Sequence, residues 1–377
     1  MLLRDSSVAT GHRRRLVAAE RRIQEACADA STTAELVDGL REPFDDALGL
    51  SGMLLSATDP DSTVLSTAAV IENLPESMCA PWMHNEFLED DVNKFAELHR
   101  TGSPATTLDR ATQGCPDLSP RHRHLNRPQG FGPELRTTFS AGGSCWGVAH
   151  FLRSQGEADF DDEALHWVDR LRDRVAIALQ HTLGAPWRGD DEDWVPGVVT
   201  LDPDGHVVSM TPHADRLLDE CWAHPIPAGD TARLPGEAYM VATLTRARAA
   251  HRPHTRRPVT RLRGRSGRWL TLRGDYTLDR TGELCGIVLL IQPSRPTEVM
   301  PLVVSAYGLT EREQEVLAEL MQGRTSGQIA TRLFISEHTV RDHLKSIRAK
   351  TGTSSRGELM SLLFHEHSAP HTQFRHV

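Results

Sequence analysis

The chain has 377 residues, of which 39% are hydrophobic and 25% charged, so it can bury real cores and is no disordered acidic tail. At roughly 100–200 residues per domain, that length suggests two to four domains. The formal net charge is -9, from 42 basic and 51 acidic residues, and taken whole it argues against a nucleic-acid ligand, because phosphate affinity comes from positive charge.

Read from the N-terminus, residues 14–30 and 33–48 carry helical patterns. Leu16, Ile23 and Cys27 mark the first. Leu36, Leu40, Phe44 and Leu48 mark the second, which Pro43 threatens to kink or split. Strand-like pieces follow at 52–57, 63–67, 134–140 and 144–151. A long helix over 162–183 has Leu165, Val168, Leu171, Val175 and Leu179 at helical spacing. The two helices at 14–30 and 162–183 could pair across a dimer.

Gly, Pro and four consecutive acids at 184–193 read as a linker. Residues 195–292 then read strand (195–201), strand (206–211), helix (212–222), helix (236–250) and strands at 258–264, 268–276 and 285–292. Two strands, helices, then three antiparallel strands is the order of a PAS-like fold. Eight arginines and no acid fall between 252 and 273. Arg261, Arg263, Arg265, Arg268 and Arg273 make either a solvated sheet face that pairs with N-terminal acids or an auxiliary phosphate patch. A second joint falls at 292–296.

The C-terminal segment reads as four short helices. Thr310 and Glu313 have capping-box spacing, as do Thr325 with Gln328 and Ser355 with Glu358; Ser336 is a natural N-cap for a helix over 337–350. Gly323 and Gly352 serve as stops. Leu359, Leu362, Leu363 and Phe364 are the apolar positions of the fourth helix. In the third, Val340, Leu344 and Ile347 form a buried stripe, and Arg341, Asp342, Lys345 and Arg348 lie off it. A helix that packs on one side and offers Arg and Lys on the other suits a major groove. The short turn at 334–336 is helix-turn-helix geometry.

Leu309-Thr310-Glu311-Arg312-Glu313, Gly323, Ile329-Ala330, Leu333, Ile335-Ser336, Thr339-Val340-Arg341, His343-Leu344, Lys350, Ser355-Arg356 and Glu358-Leu359 together closely resemble the LuxR-type helix-turn-helix domain, over about 60 residues. The resemblance implies a third helix in the major groove and a fourth that often mediates dimer contact. By position, Arg341, Asp342 and Lys345 would face bases, and Thr325, Ser326, Ser336, Thr339, Lys350 and Arg356 would sit near phosphates. Thr351 stands where the family usually has an apolar residue. Upstream, Thr58-Asp59-Pro60, Trp82, Asn85-Glu86, Asp91, Lys94-Phe95, Leu98, Gly132, Glu134-Leu135-Arg136 and Cys145-Trp146-Gly147 resemble a GAF-like domain of actinobacterial LuxR-type regulators.

The fold class expected is multidomain: an α+β GAF-like sensor domain over 14–185, an α+β PAS-like domain over 194–294, and an all-α, four-helix LuxR-type helix-turn-helix over 303–367. No catalytic residue, metal site or cofactor is expected. There is no P-loop, no receiver-type acidic cluster, no G-x-S-x-G and no H-E-x-x-H. Arg121-His122-Arg123-His124, and His365, His367 and His371, read more plainly as exposed flexible histidines than as metal ligands. The scattered cysteines fit reduced thiols in a cytoplasm, and neither a secretory leader nor a membrane span is visible.

The function expected is a one-component regulator that binds double-stranded promoter DNA as a homodimer. A small-molecule effector would bind one of the sensor domains, and RNA polymerase is a further partner. The alternative is a thiol-based redox enzyme or sensor, using Cys79, Cys115 or Cys145. Residues 1–185 carry net -10, while 336–356 carry five basic and two acidic residues, net +3. The acidity therefore belongs to the N-terminal half, which could cover Arg341, Lys345 and Lys350 until a signal arrives.

Overall fold

The computed structural model describes residues 2–59, 64–65, 70–184, 195–222, 234–251 and 257–362. Of the expected linker at 184–193 all but Gly184 lies outside them, as do residues 252–256, Leu363, Phe364 and the three tail histidines.

The chain opens with two helices, α1 (Leu2–Asp29) and α2 (Thr33–Leu48). Thr32 and Glu35 form a capping box at the start of α2, and Gly49 ends it at φ 62°. Pro43 sits inside α2 without splitting it.

Strands β1 (Gly52–Asp59), β2 (Val64–Leu65) and β3 (Val70–Glu72) follow, then α3 (Cys79–Leu88), α4 (Phe95–Thr101), β4 (Thr106–Thr107) and α5 (Leu108–Thr112). Lys94 is the extended residue that precedes α4. After single helical turns between 116 and 129 come β5 (Phe131–Ala141), β6 (Ser144–Ser154) and α6 (Asp162–Gly184). The strands form an antiparallel sheet in the order β2-β1-β6-β5-β4, with β3 also pairing β1.

Alternation along β1 sends Met53, Leu55 and Ala57 to one face, where they join Phe44 of α2 and Trp167 and Leu171 of α6 in one core. Leu54 joins Trp82, Phe95 and Val148 in a separate cluster.

A second sheet is built from β7 (Gly197–Leu201), β8 (Val207–Met210), β9 (Val259–Arg263), β10 (Trp269–Leu278) and β11 (Leu284–Pro293), in the antiparallel order β8-β7-β11-β10-β9. Two helices, α7 (Pro212–Asp219) and α8 (Gly236–Ala249), lie between β8 and β9 in sequence. Helix α8 packs on β10 and β11, and also on α3.

Helix α9 (Pro296–Ala306) follows β11 after two residues, at the joint expected near 292–296. Four more helices follow: α10 (Glu311–Met321), α11 (Ser326–Leu333), α12 (Glu337–Thr351) and α13 (Arg356–Ser361).

The hairpin arginines tie these parts together. Arg261 holds Asp59 of β1 in a two-pronged ion pair at 2.9 Å on each prong. Arg263 is buried and donates to the carbonyls of Thr182 and Leu183 at the end of α6. That end is the negative pole of the helix, where a guanidinium is favoured. Arg273 pairs with Glu298 of α9. These side chains are therefore inter-element ties, and Arg263 is not solvated.

No helix among the described residues is long and apolar enough to cross a membrane.

Candidate nucleic-acid interface

Local chemistry dictates how the last four helices begin. Thr310 with Glu313, and Thr325 with Gln328, form complete capping boxes at α10 and α11. Ser336 caps α12 by accepting from the Thr339 N–H at 3.0 Å. The expected third box is only half formed: Ser355 accepts from Glu358 N–H, but the Glu358 carboxylate turns to the backbone and hydroxyl of Ser354.

Between α11 and α12 the chain reverses through Phe334, a 94% exposed residue in the left-handed region, at φ 54°. A non-glycine residue there is uncommon, and it fixes the tight turn that angles α12 away from α11.

Helix α12 divides into two faces. Val340 and Ile347 are fully buried against α10 and α11, and Leu344 is half-buried. Arg341, Asp342 and Lys345 are exposed. Arg341 lies 3.2 Å from Glu337 one turn back, and His338 lies 3.6 Å from Asp342. Exposed pairs of this kind are weak and can exchange partners when phosphate or a base edge arrives. Among the described residues, acids of the N-terminal half do not cover Arg341 or Lys345.

The residues expected near phosphates fall into three places. Thr325 and Ser326 start α11, and Arg356 of α13 reaches the same corner by donating to the Arg324 carbonyl at 2.7 Å. Ser336 and Thr339 start α12, with their hydroxyls 2.8 Å apart. Both corners present helix N-termini, whose free N–H groups and positive dipole end favour anions.

Lys350 stands apart. Its ammonium donates to the Gly308 carbonyl at 3.0 Å and to Glu313 at 2.7 Å, which fastens α12 to the start of α10. The hub here is Glu313, the acid of the α10 capping box. It also accepts from Ser346 Oγ at 2.6 Å and from its own N-cap N–H at 2.7 Å. An acid three residues after a threonine signals the box, but nothing local to it signals the long-range lysine and serine. Thr351 is buried and bonds the Ile347 carbonyl at 2.9 Å, so its hydroxyl is satisfied within the helix.

Of the candidate thiols, Cys79 is half-buried and Cys115 is exposed. Cys145 is fully buried, its thiol pushed up by burial, which disfavours the reactive thiolate. His122 is buried, against the expectation of exposure, while His124 is exposed. Among the described residues no group of three or more His, Cys, Asp or Glu could hold a metal ion.

The family model described as "Bacterial regulatory proteins, luxR family" matches residues 308–363. The spore germination protein GerE of Bacillus subtilis (strain 168) is 46% identical over 50 residues, which are 13% of this chain and 68% of that protein. The uncharacterized transcriptional regulatory protein YhcZ of the same organism is 44% identical over 50 residues, and there the chain covers only 23% of the relative's length. A crystal structure of Escherichia coli SdiA is similar over 95% of this chain and 98% of that one, at 14% identity and a TM-score of 0.34, too low to mark a shared fold.

Proposed function

The chain belongs to the luxR family of bacterial regulatory proteins, and from that we propose that it is a one-component transcription regulator. It binds promoter DNA as a homodimer and answers to a small molecule held in its N-terminal half. The observation that carries this reading is α12 itself: Val340 and Ile347 seat the helix, and Arg341, Asp342 and Lys345 face outward.

Arg341 is suited to a guanine edge and Lys345 to guanine or phosphate, while Asp342 would accept from a cytosine amino group. Thr325, Ser326, Ser336, Thr339 and Arg356 are proposed as the phosphate contacts, because they sit at helix N-termini or beside one. Lys350 is a weaker candidate, since it must leave Glu313 to reach a phosphate. RNA polymerase remains a partner by function, with no particular residue to point to.

The two sheets support the sensor reading in outline. The second has the strand order of a PAS-like fold. The first, with helices before and after its strands, fits a GAF-like one. The proposed domains are 14–185, 194–294 and 303–367.

A route from sensor to reader runs through α9. Val299, Leu302 and Ala306 are buried in the core that contains α6. Gln180 of α6 donates to the Ser305 carbonyl at 2.9 Å. At the other end, Glu298 accepts from Thr271 Oγ1 at 3.1 Å and pairs with Arg273. A ligand that favours one arrangement of α6 against β10 would thereby bias the placement of α10–α13.

Selection of bound duplexes from a random pool with the full chain, followed by footprinting, tests this reading. The expected outcome is a pseudo-palindrome with protected half-sites about one helical turn, roughly 10 bp, apart. A pool that stays random after selection would contradict it.

A further inference from the structure

The most unusual chemistry outside the helical unit lies under the first sheet. Strand β5 carries Glu134 and Arg136, two residues apart and both fully buried. Strand alternation puts them on one face, and the register sets Arg136, His150 and Leu54 in one row across three strands.

Glu134 is saturated. It accepts from Arg121 Nε and Nη2 at 3.1 and 2.8 Å, from Asn126 Nδ2 at 2.7 Å and from His150 Nε2 at 3.0 Å. Arg121 in turn meets Asn85 at 3.2 Å and Asp91 at 3.7 Å.

Arg136 is different. Its Nη2 donates to Glu86 at 2.7 Å, but its Nε and Nη1 have no partner. The ring of Phe95 lies 3.7 Å from the guanidinium carbon and that of Trp82 lies 5.6 Å away. Asn126 Oδ1, in the same cluster, is also without a partner. Buried polar groups are nearly always satisfied, and a guanidinium with two idle donors is a strong exception.

We propose that Arg136 anchors a small, uncharged, planar ligand through a carbonyl-type oxygen, at the cluster it forms with Phe95, Trp82 and His150. The charge count decides the class. Glu86, Asp91 and Glu134 already outnumber Arg121 and Arg136. His150 accepts from Trp82 at Nδ1 and turns Nε2 to Glu134, which is the bonding of a neutral imidazole. A further carboxylate would enter a cluster already short of positive charge, whereas an amide, lactone or ketone oxygen takes up the idle N–H groups and adds none. The aromatic rings favour a flat molecule. The proposal rests on the sensor reading of the N-terminal half, yet it needs no DNA to be tested.

Benzamide and benzoate are the probes, because they share a shape and differ in charge. Each is titrated into the full chain carrying 15N-labelled arginine. Benzamide is expected to move the Arg136 Nε–H resonance and to bind roughly tenfold more tightly than benzoate. Arg136→Lys keeps a cation for Glu86 but removes Nε, Nη1 and the planar fork that fixes their direction, so it should lose roughly tenfold in benzamide affinity.

No movement of the resonance at the solubility limit of benzamide would overturn the site. Equal benzamide binding by a folded Arg136→Lys would do the same, and benzoate binding as tightly as benzamide would overturn the neutral class. The first and third results need only the unsubstituted chain. A probe that binds at Arg136 but leaves DNA affinity unmoved would keep the site and remove the sensor reading.

Discussion

At Glu313, burial works against the charge, yet hydrogen bonds from Lys350, Ser346 and Thr310 outweigh it and hold the carboxyl at about 2. A carboxyl held lower in the folded chain than in the unfolded one stabilises the fold above the ordinary carboxylate range. That contribution fades as pH falls from about 4.5 towards 2. Glu313→Gln should therefore cost roughly 1.5–3 kcal/mol at neutral pH, and the difference from the parent should shrink with acid. Thermal unfolding of both chains from neutral pH down to the acid limit checks this. A difference that does not change with pH would show that the carboxylate's charge is not what matters. The same residue shows why Lys350 differs from Arg341 and Lys345. All three are basic residues of one helix, but only Lys350 has a buried carboxylate within reach, and one helical turn in sequence does not reveal that.

Much at the scale of elements was legible in the sequence, because periodicity and caps are local. The helix over 162–183 and the succession of strands and helices over 195–292 follow from apolar spacing and turn residues. The starts of α10, α11 and α12 follow from Thr310, Thr325 and Ser336. The segment between β3 and β5 was not legible. Its helices are short, and its polar residues turn inward: Asn85, Glu86, Asp91 and Arg121 belong to a buried ionic cluster that no apolar periodicity marks. Charged residues inside an otherwise apolar strand, such as Glu134 and Arg136, were the one available signal. Close approaches were equally hidden. Gly197 of β7 lies directly against the backbone of Ala214 in α7, where an added methyl would collide with main-chain atoms. Gly197→Ala should therefore destabilise the second sheet by roughly 1–3 kcal/mol or more, through forced movement of α7. Denaturant unfolding measures it, and a change below about 0.5 kcal/mol, typical of surface sites, would show that α7 is not seated there.

For the whole molecule, the charge that seemed to exclude DNA is segregated. The acids are concentrated before residue 185, where Asp59 is taken up by Arg261 and Glu86, Asp91 and Glu134 by buried arginines. The exposed cations of α12 lie at the other end of the chain, joined to the sheets through α9. A reader attached to an acidic body should bind DNA modestly and lose affinity steeply with salt. The most direct measurement is the affinity of the full chain for its selected duplex and for a scrambled one, over a range of salt. It is made with the parent chain and with the Arg341→Ala/Lys345→Ala double variant. The account predicts a preference for the selected duplex and a log–log salt slope of about -0.9 for each phosphate neutralised. It predicts at least roughly tenfold weaker binding, with the preference lost, in the double variant at unchanged helix content. A folded double variant that kept both affinity and preference would contradict it.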